Sequence, residues 1–238
     1  LPASLFCLLI AVELRRPRRA LVGHVGERWL GNVGLFAVNA VLALWLLPAL
    51  LTPVVATSPN GWLDLLGGLL FLDLLSYVAH RLFHSVPALW RIHSVHHTDI
   101  DLDVTTAVRH HPLEFASIFV ATSLIAAAVG VAPGTIALYG ALALAHQMLQ
   151  HGNVAIPDSF EWLGRSVLVT PAFHRIHHSR ASEEHEVNFG TVLSVWDHLF
   201  GTSRQVAPGG GDPLRFGVEG LDAPRYQRLH WMLLTPLF

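Results

Sequence analysis

Residues 80–97 read HRLFHSVPALWRIHSVHH and hold five histidines, His80, His84, His93, His96 and His97. His80 and His84 are four apart, which on one helix puts two side chains on the same face roughly 5–6 Å apart. His93, His96 and His97 combine an i,i+3 pair with an adjacent third imidazole. The same spacing returns in FHRIHHS as His174, His177 and His178. Eight imidazoles are more than one metal ion can use and suit two ions with open positions. Imidazole binds Zn, Cu, Fe and Ni, so the donor set alone does not name the metal. A structural zinc site is normally closed by four ligands, often with Cys, so an excess of nitrogen donors points to a catalytic centre. Incidental histidine-rich tracts lack fixed helical spacing. His24 and His230, which stand alone, read as ordinary core or surface residues.

The rest of the chain suits a bilayer. Of 238 residues 52% are hydrophobic and 13% charged, about half the usual charged share of roughly 25%, and the mean hydropathy is +0.47. The net charge is −2 and the basic residues form no stripe, so no nucleic-acid partner is expected. All 15 basic residues are Arg, which reads as the base composition of a GC-rich bacterium. The single cysteine, Cys7, excludes an internal disulfide and cysteine-based metal binding.

Outward from the histidines, residues 61–79 form an apolar run that leads into His80, with Asp64 and Asp73 as its only charges. Residues 29–51 form another, about 20 residues long, enough to cross a ~30 Å hydrocarbon core; Asn32 and Asn39 interrupt it and suit a face turned toward other helices. Residues 113–131 and 135–149, joined by a turn at 132–134, are just long enough to cross as a hairpin. Residues 1–12 read as a membrane helix truncated at its start, since no small-residue cleavage site precedes the arginines. The expected fold is an all-α integral membrane bundle of about four or five membrane helices with a cytoplasmic helical cap carrying the histidines. The loop at 13–28 carries Arg15, Arg16, Arg18, Arg19 and Arg28, whereas 52–60 and 132–134 carry no Arg. The positive-inside rule makes 13–28 cytoplasmic, and following the helices across puts 80–112 and 151–238 on the same side. Both clusters therefore meet on one face of what is expected to be a bacterial inner membrane.

H-x3-H, H-x2-H-H and H-x2-H-H threaded between apolar helices resembles the sterol desaturase and fatty acid hydroxylase superfamily. RHHPLE at 109–114, QHGN at 150–153, NFG at 188–190 and WDHLFGT at 196–202 are similar to its bacterial branch. The likeness covers roughly residues 60–203 of one membrane-embedded domain spanning 1–238, with 204–238 as a tail. It implies a di-iron oxygenase that hydroxylates or desaturates a membrane lipid (fatty acyl, sterol-like, or another isoprenoid or ether lipid). O2 is then the co-substrate, two Fe ions the cofactors, and zinc a substitute acquired on purification. Unactivated C–H bonds need an oxidant that no side chain supplies. With no flavin, nicotinamide or haem-attachment fingerprint in the chain, electrons are expected from an external ferredoxin- or cytochrome-type donor and its reductase. The resemblance also adds His151 as a ninth ligand. Gln147, one turn earlier beside His146, stands where some relatives carry a tenth.

Further ligands or their supporting partners are sought in His111, His110, Asp73 and Asn188, while His110, His185 and His198 read better as supports or surface residues than as ligands. A ligating histidine needs a partner on its other nitrogen, and Asp99, Asp101, Asp103, Glu114, Asn188 and Asp197 are available. A carboxylate inside a membrane helix is costly, so Asp73 is either functional or bonded to a neighbouring helix. Tyr77 reads as packing, and Trp62, Trp90, Trp162, Trp196 and Trp231 as interfacial anchors. The tail, with its Gly-rich linker at 208–213, is expected to end packed on the membrane face. The competing reading is a metal-binding or metal-transport membrane protein without oxygenase activity. A transporter places its ligands in broken helices near mid-membrane, whereas these clusters lie outside the apolar runs.

Overall fold

The computed structural model describes residues 2–51, 61–181, 184, 186–205 and 215–238; the turn at 52–60, the linker at 208–213 and His185 lie outside the described residues. Ten α-helices are named in chain order. They are α1 (Pro2–Arg15), α2 (Val25–Leu51), α3 (Trp62–Ser85), α4 (Pro87–His97), α5 (Pro112–Ala128), α6 (Pro133–His151), α7 (Asp158–Gly164), α8 (Pro171–His177), α9 (Val195–Leu199) and α10 (Leu229–Leu234). Short 3₁₀ turns at Val104–Val108, Pro224–Gln227 and Thr235–Leu237 complete them. Among the described residues there is no strand, only isolated bridges, so the expected all-α class is what the chain adopts.

Prolines set several of the boundaries. Val86 precedes Pro87 and is extended at φ −101°, ψ 115°, because the ring of a following proline disfavours the helical region. The apolar run therefore continues through His80 and His84 to Ser85, stops, and restarts as α4 with proline in its first turn, where the missing N–H costs nothing. The 80–97 stretch is thus two helices folded against each other. α5, α6 and α8 also begin with proline.

Among the described residues two helices are long and apolar enough to cross a membrane, through windows Val25–Leu46 and Trp62–Ser85, and only 22% of each window is buried. Leu44 and Trp45 on α2 and Trp62 and Leu63 on α3 are largely exposed, a surface suited to lipid and not to water. α5 is apolar but shorter. Among the long helices α5 packs chiefly on α2 and α6 chiefly on α3, and a cavity lies between the four.

A buried polar network ties the start of α2 to the loop after α4. Arg28 is fully buried and pairs with Asp99 at 3.1 Å and with Asp103. Asn32 donates to Asp99 and to the Thr105 hydroxyl. Arg109, also fully buried, donates to the Val95 carbonyl, Asn32, Gln227, Thr98 and the Tyr226 carbonyl. Burial alone would raise the Asp99 carboxyl, but Arg28 and Arg109 hold it below its ordinary value. Asp101 caps the Val22 and Gly23 amides, and Asp103 caps the 3₁₀ turn.

The tail returns to the helices of the bundle. Gln227 donates to the Thr98 carbonyl, and Met232 is fully buried with Leu35 and Val95. Gly31 permits this approach, since a Cβ there would lie 2.3 Å from the Gln227 carbonyl oxygen.

The network predicts a sharp contrast in stability. Removing one partner of a buried pair costs about 3–5 kcal/mol because it strands a charge, so Arg28→Ala should lower the thermal unfolding midpoint strongly. Arg228 pairs with Glu27 in an exposed setting, where a pair contributes at most about 1 kcal/mol, so Arg228→Ala should shift it little. Similar shifts for both, measured in detergent, would contradict the network's role.

Candidate metal centre

Nine buried or nearly buried imidazoles converge where the ends of α3, α4, α6 and α8 meet. They fall into two groups, each able to hold a metal ion: His80, His84, His93, His97 and His177, and His96, His151, His174 and His178. The division cuts across both doublets. His93 and His97, one turn apart on α4, join the first group while His96 between them joins the second. At α8 the pattern reverses, with His174 and His178 in the second group and His177 in the first. Neighbours in a helix point about 100° apart, so each doublet sends one ring to either side. The i,i+3 pairing read from the sequence is therefore not the functional unit; the i,i+4 pair is.

In the second group the Nε2 atoms face one another. His151 Nε2 lies 3.1 Å from His96 Nε2, 3.1 Å from His178 Nε2 and 3.0 Å from His174 Nε2, and His174 and His178 are 3.0 Å apart. Imidazole nitrogens about 2.1 Å from one metal ion stand about 3 Å from each other. In the first group one ring nitrogen from each histidine lies within 4.8 Å of the others, and the buried Nε2 atoms of His80, His93 and His97 have no hydrogen-bond partner. A buried ring nitrogen without a partner is costly, and a cation among them removes that cost.

The outward nitrogens are largely held. His80 Nδ1 meets the Phe189 carbonyl at 2.8 Å, His177 Nδ1 the Val187 carbonyl at 2.8 Å, His151 Nδ1 the Gln147 carbonyl at 2.7 Å, and His96 Nδ1 the Arg109 carbonyl at 3.2 Å. His93 Nδ1 meets Glu114 Oε1 at 2.8 Å. A carbonyl can only accept, so each such Nδ1 carries the proton and Nε2 is left with its lone pair facing inward. Burial first, and the neighbouring imidazoles second, push His96, His97, His174 and His178 well below the ordinary histidine value. All four are neutral at pH 7, the state a metal ligand needs. Phe83, Trp90 and Phe189 pack on the first group and wall it from water.

Of the candidate carboxylates, Glu114 alone meets the histidines, accepting from His93 and, at 3.0 Å, from His110. His110 stacks on His96 with ring centroids 4.6 Å apart. His111 caps α5, its Nδ1 accepting from the Leu113 amide, and stands outside both groups. Asp73 is a structural lock: it accepts from Tyr139, the Val192 and Leu193 amides and Trp196, the neighbouring-helix alternative for this residue. Asn188 binds the Phe173 carbonyl and the Arg204 amide, and Asp197 the Phe189 and Gly190 amides, so both shape the loop that presents Phe189. Gly190 has no room for a side chain, with Asp197 Oδ2 2.8 Å from where Cβ would be. His146 binds the Val169 carbonyl and His198 the Arg165 carbonyl. Tyr77 packs on Phe189 and Phe200. Among the tryptophans, Trp62 and Trp162 are exposed as interfacial anchors would be. Trp196 instead serves Asp73, and Trp90 covers the first group.

A cavity of about 450 Å³ between α2, α3, α5 and α6 ends on these histidines. His80 and His93 of the first group and His96, His151 and His174 of the second line it, so its end reaches both. Its walls are chiefly apolar, with Ala40, Ala43, Phe115, Phe119 and Ala143 among them. The carbonyls at Gln147, Val187 and Phe189 and most of the cavity wall were not foreseen; only the NFG motif flagged that loop.

The site sits on an all-helical bundle with two helices able to cross a membrane and two histidine groups able to hold metal ions. A model of the fatty acid hydroxylase family matches residues 65–202, more than half of the chain and a stretch containing all nine histidines; the chain belongs to that family. It is 31% identical over 147 residues to the alkylglycerol monooxygenase of Homo sapiens, covering 61% of this chain and 31% of that one. It is 33% identical over 149 residues to the ornithine lipid hydroxylase OlsE of Rhizobium tropici, covering 60% and 44% respectively. The chain thus spans under half the length of these curated relatives. No solved structure matches it.

Metal-free protein titrated with Co²⁺ should take up two equivalents. His174→Ala should take up one, and His111→Ala should still take up two. Loss of uptake on His111→Ala would place that residue among the ligands.

Proposed function

We propose that this chain is a membrane lipid monooxygenase. It holds one iron ion among His80, His84, His93, His97 and His177 and a second among His96, His151, His174 and His178. The observation that carries this reading is the apolar cavity that ends on both histidine groups at once. A lipid chain fits such a cavity, and its reacting carbon then lies beside both histidine groups. The named activities of the relatives, alkylglycerol monooxygenase and ornithine lipid hydroxylase, support a lipid substrate and favour oxygen insertion over desaturation.

Iron supplies the activation of O2 that no side chain can provide. The chain's residues do the rest. Backbone carbonyls and Glu114 keep the ring protons on Nδ1, leaving Nε2 free for the metal. Aromatic residues exclude water from the first site. The cavity wall holds the alkyl chain in place, which lowers the entropic part of the barrier. Insertion of one oxygen atom into a C–H bond uses O2, two electrons and two protons and releases water. The electrons come from a separate donor of the ferredoxin or cytochrome type with its reductase.

The same reading makes residues 1–238 a single domain of four or five membrane helices in a bacterial inner membrane. α4 and the short helices after α6 form a cap on the cytoplasmic side. The Arg-rich 13–28 loop supports this side, as does the meeting of α2's first turn with the loop after α4. Zinc replaces iron in preparations that meet excess zinc.

Cells expressing the chain, grown in isotopically heavy O2, should accumulate a membrane lipid heavier by one labelled oxygen. His96→Ala should abolish that product. Glu114→Gln, which perturbs a ligand's support, should weaken metal affinity about 10–100-fold. An unchanged lipid profile under aerobic growth, with iron and donor supplied, would overturn the proposal.

A further inference from the structure

The cavity has a side. α2 packs on α5, and α3, α5 and α6 pack on one another, but α2 shares no comparable packing with α3 or α6. α2 and α6 therefore stand apart. Near the histidines this seam is bridged by the 3₁₀ turn Val104–Val108, which packs on both helices, and α1 adds Leu5, Phe6, Leu9 and Ile10 against Leu144 and Met148 of α6. Gly140 lies one turn from Leu144 on α6: it lines the cavity, is exposed, and a Cβ added to it would meet nothing within 4 Å. α2 contributes the small side chains of Ala40 and Ala43 to the same cavity wall.

Depth says what this opening faces. Gly140 is 11 residues before His151 on the same helix (151 − 140), about 16 Å along its axis. With the histidines at one membrane face, that places Gly140 near the middle of a ~30 Å hydrocarbon core. An opening there meets acyl chains and never water.

We infer that the alkyl chain of a bilayer lipid enters the cavity sideways, through a portal between α2 and α6 edged by Gly140, Ala40 and Ala43. The inference rests on the lipid-oxidising reading for its purpose but not for its test. It makes Gly140 a specificity-determining position, since any side chain there narrows the mouth. α3 supplies a matched control: Gly67 is also exposed with nothing within 4 Å of a Cβ, but it does not line the cavity.

The test uses the full chain, iron-loaded, in phosphatidylcholine nanodiscs containing hexadecylglycerol. Bound alkyl lipid is counted by native mass spectrometry, and iron content and the unfolding midpoint are measured in parallel. Gly140→Trp should retain at least tenfold less bound lipid than wild type while keeping its iron and its midpoint. Gly67→Trp should match wild type in all three. Gly140→Ala, a far smaller plug, should fall between wild type and Gly140→Trp, and it keeps the test alive if the tryptophan variant does not fold. Undiminished lipid retention in a folded Gly140→Trp would overturn the portal and point to entry beside the histidines. Loss of retention with no oxidised product even in wild type would uphold the portal and sink the oxygenase reading instead.

Discussion

Three imidazole nitrogens within about 3 Å of His151 Nε2 form the constraint the rest of the molecule serves. Neutral rings so placed turn lone pairs toward lone pairs, and protonated rings would repel more strongly still. A shared cation would make the arrangement favourable. The fold must therefore hold the rings in place by other means, and it does so from outside. Carbonyl oxygens and Glu114 grip the Nδ1 side, while Phe83, Trp90 and Phe189 close the apolar shell.

Behind that shell lies a second level of support. Arg109 lends its carbonyl to His96 and spreads its guanidinium over groups from α2, α4 and the C-terminal tail. Arg28 and Asn32 tie the start of α2 to the same loop. Charges buried this deeply seldom add stability over an apolar core of equal shape. Their value here is positional, since a polar lattice with defined partners leaves one geometry for the loop that follows His97. Asp73 does the equivalent work on the far side, joining α3 and α6 to the loop that presents Phe189.

Much of this was legible in the sequence because it rests on local spacing. Eight of the histidines and the apolar helices follow from spacing and composition, and the family resemblance adds His151. What was not legible depends on which way a helix faces. The doublets at His96–His97 and His177–His178 look like pairs but are divided between the two groups, since adjacent helical side chains diverge. His111 looks like a ligand in an RHHP context but is a helix cap, because the residue before a proline-led helix is placed to accept from that helix's amides. The amphiphilic character of the tail was legible, but not the burial of Met232 on Leu35 and Val95. Arg28 and Arg109 drew no attention as structural residues, since nothing local distinguishes a buried arginine from a solvated one.

The cavity joins these levels to chemistry, for it ends where the two histidine groups meet. The proposed chemistry needs two metal ions whose protein ligands are all imidazoles. X-ray absorption fine structure of the iron-loaded protein reads this directly. The account predicts a nitrogen and oxygen shell without sulfur, with outer-shell scattering from four to five imidazoles per iron. Fewer than three imidazoles per iron, or iron present at one ion per chain, would contradict it.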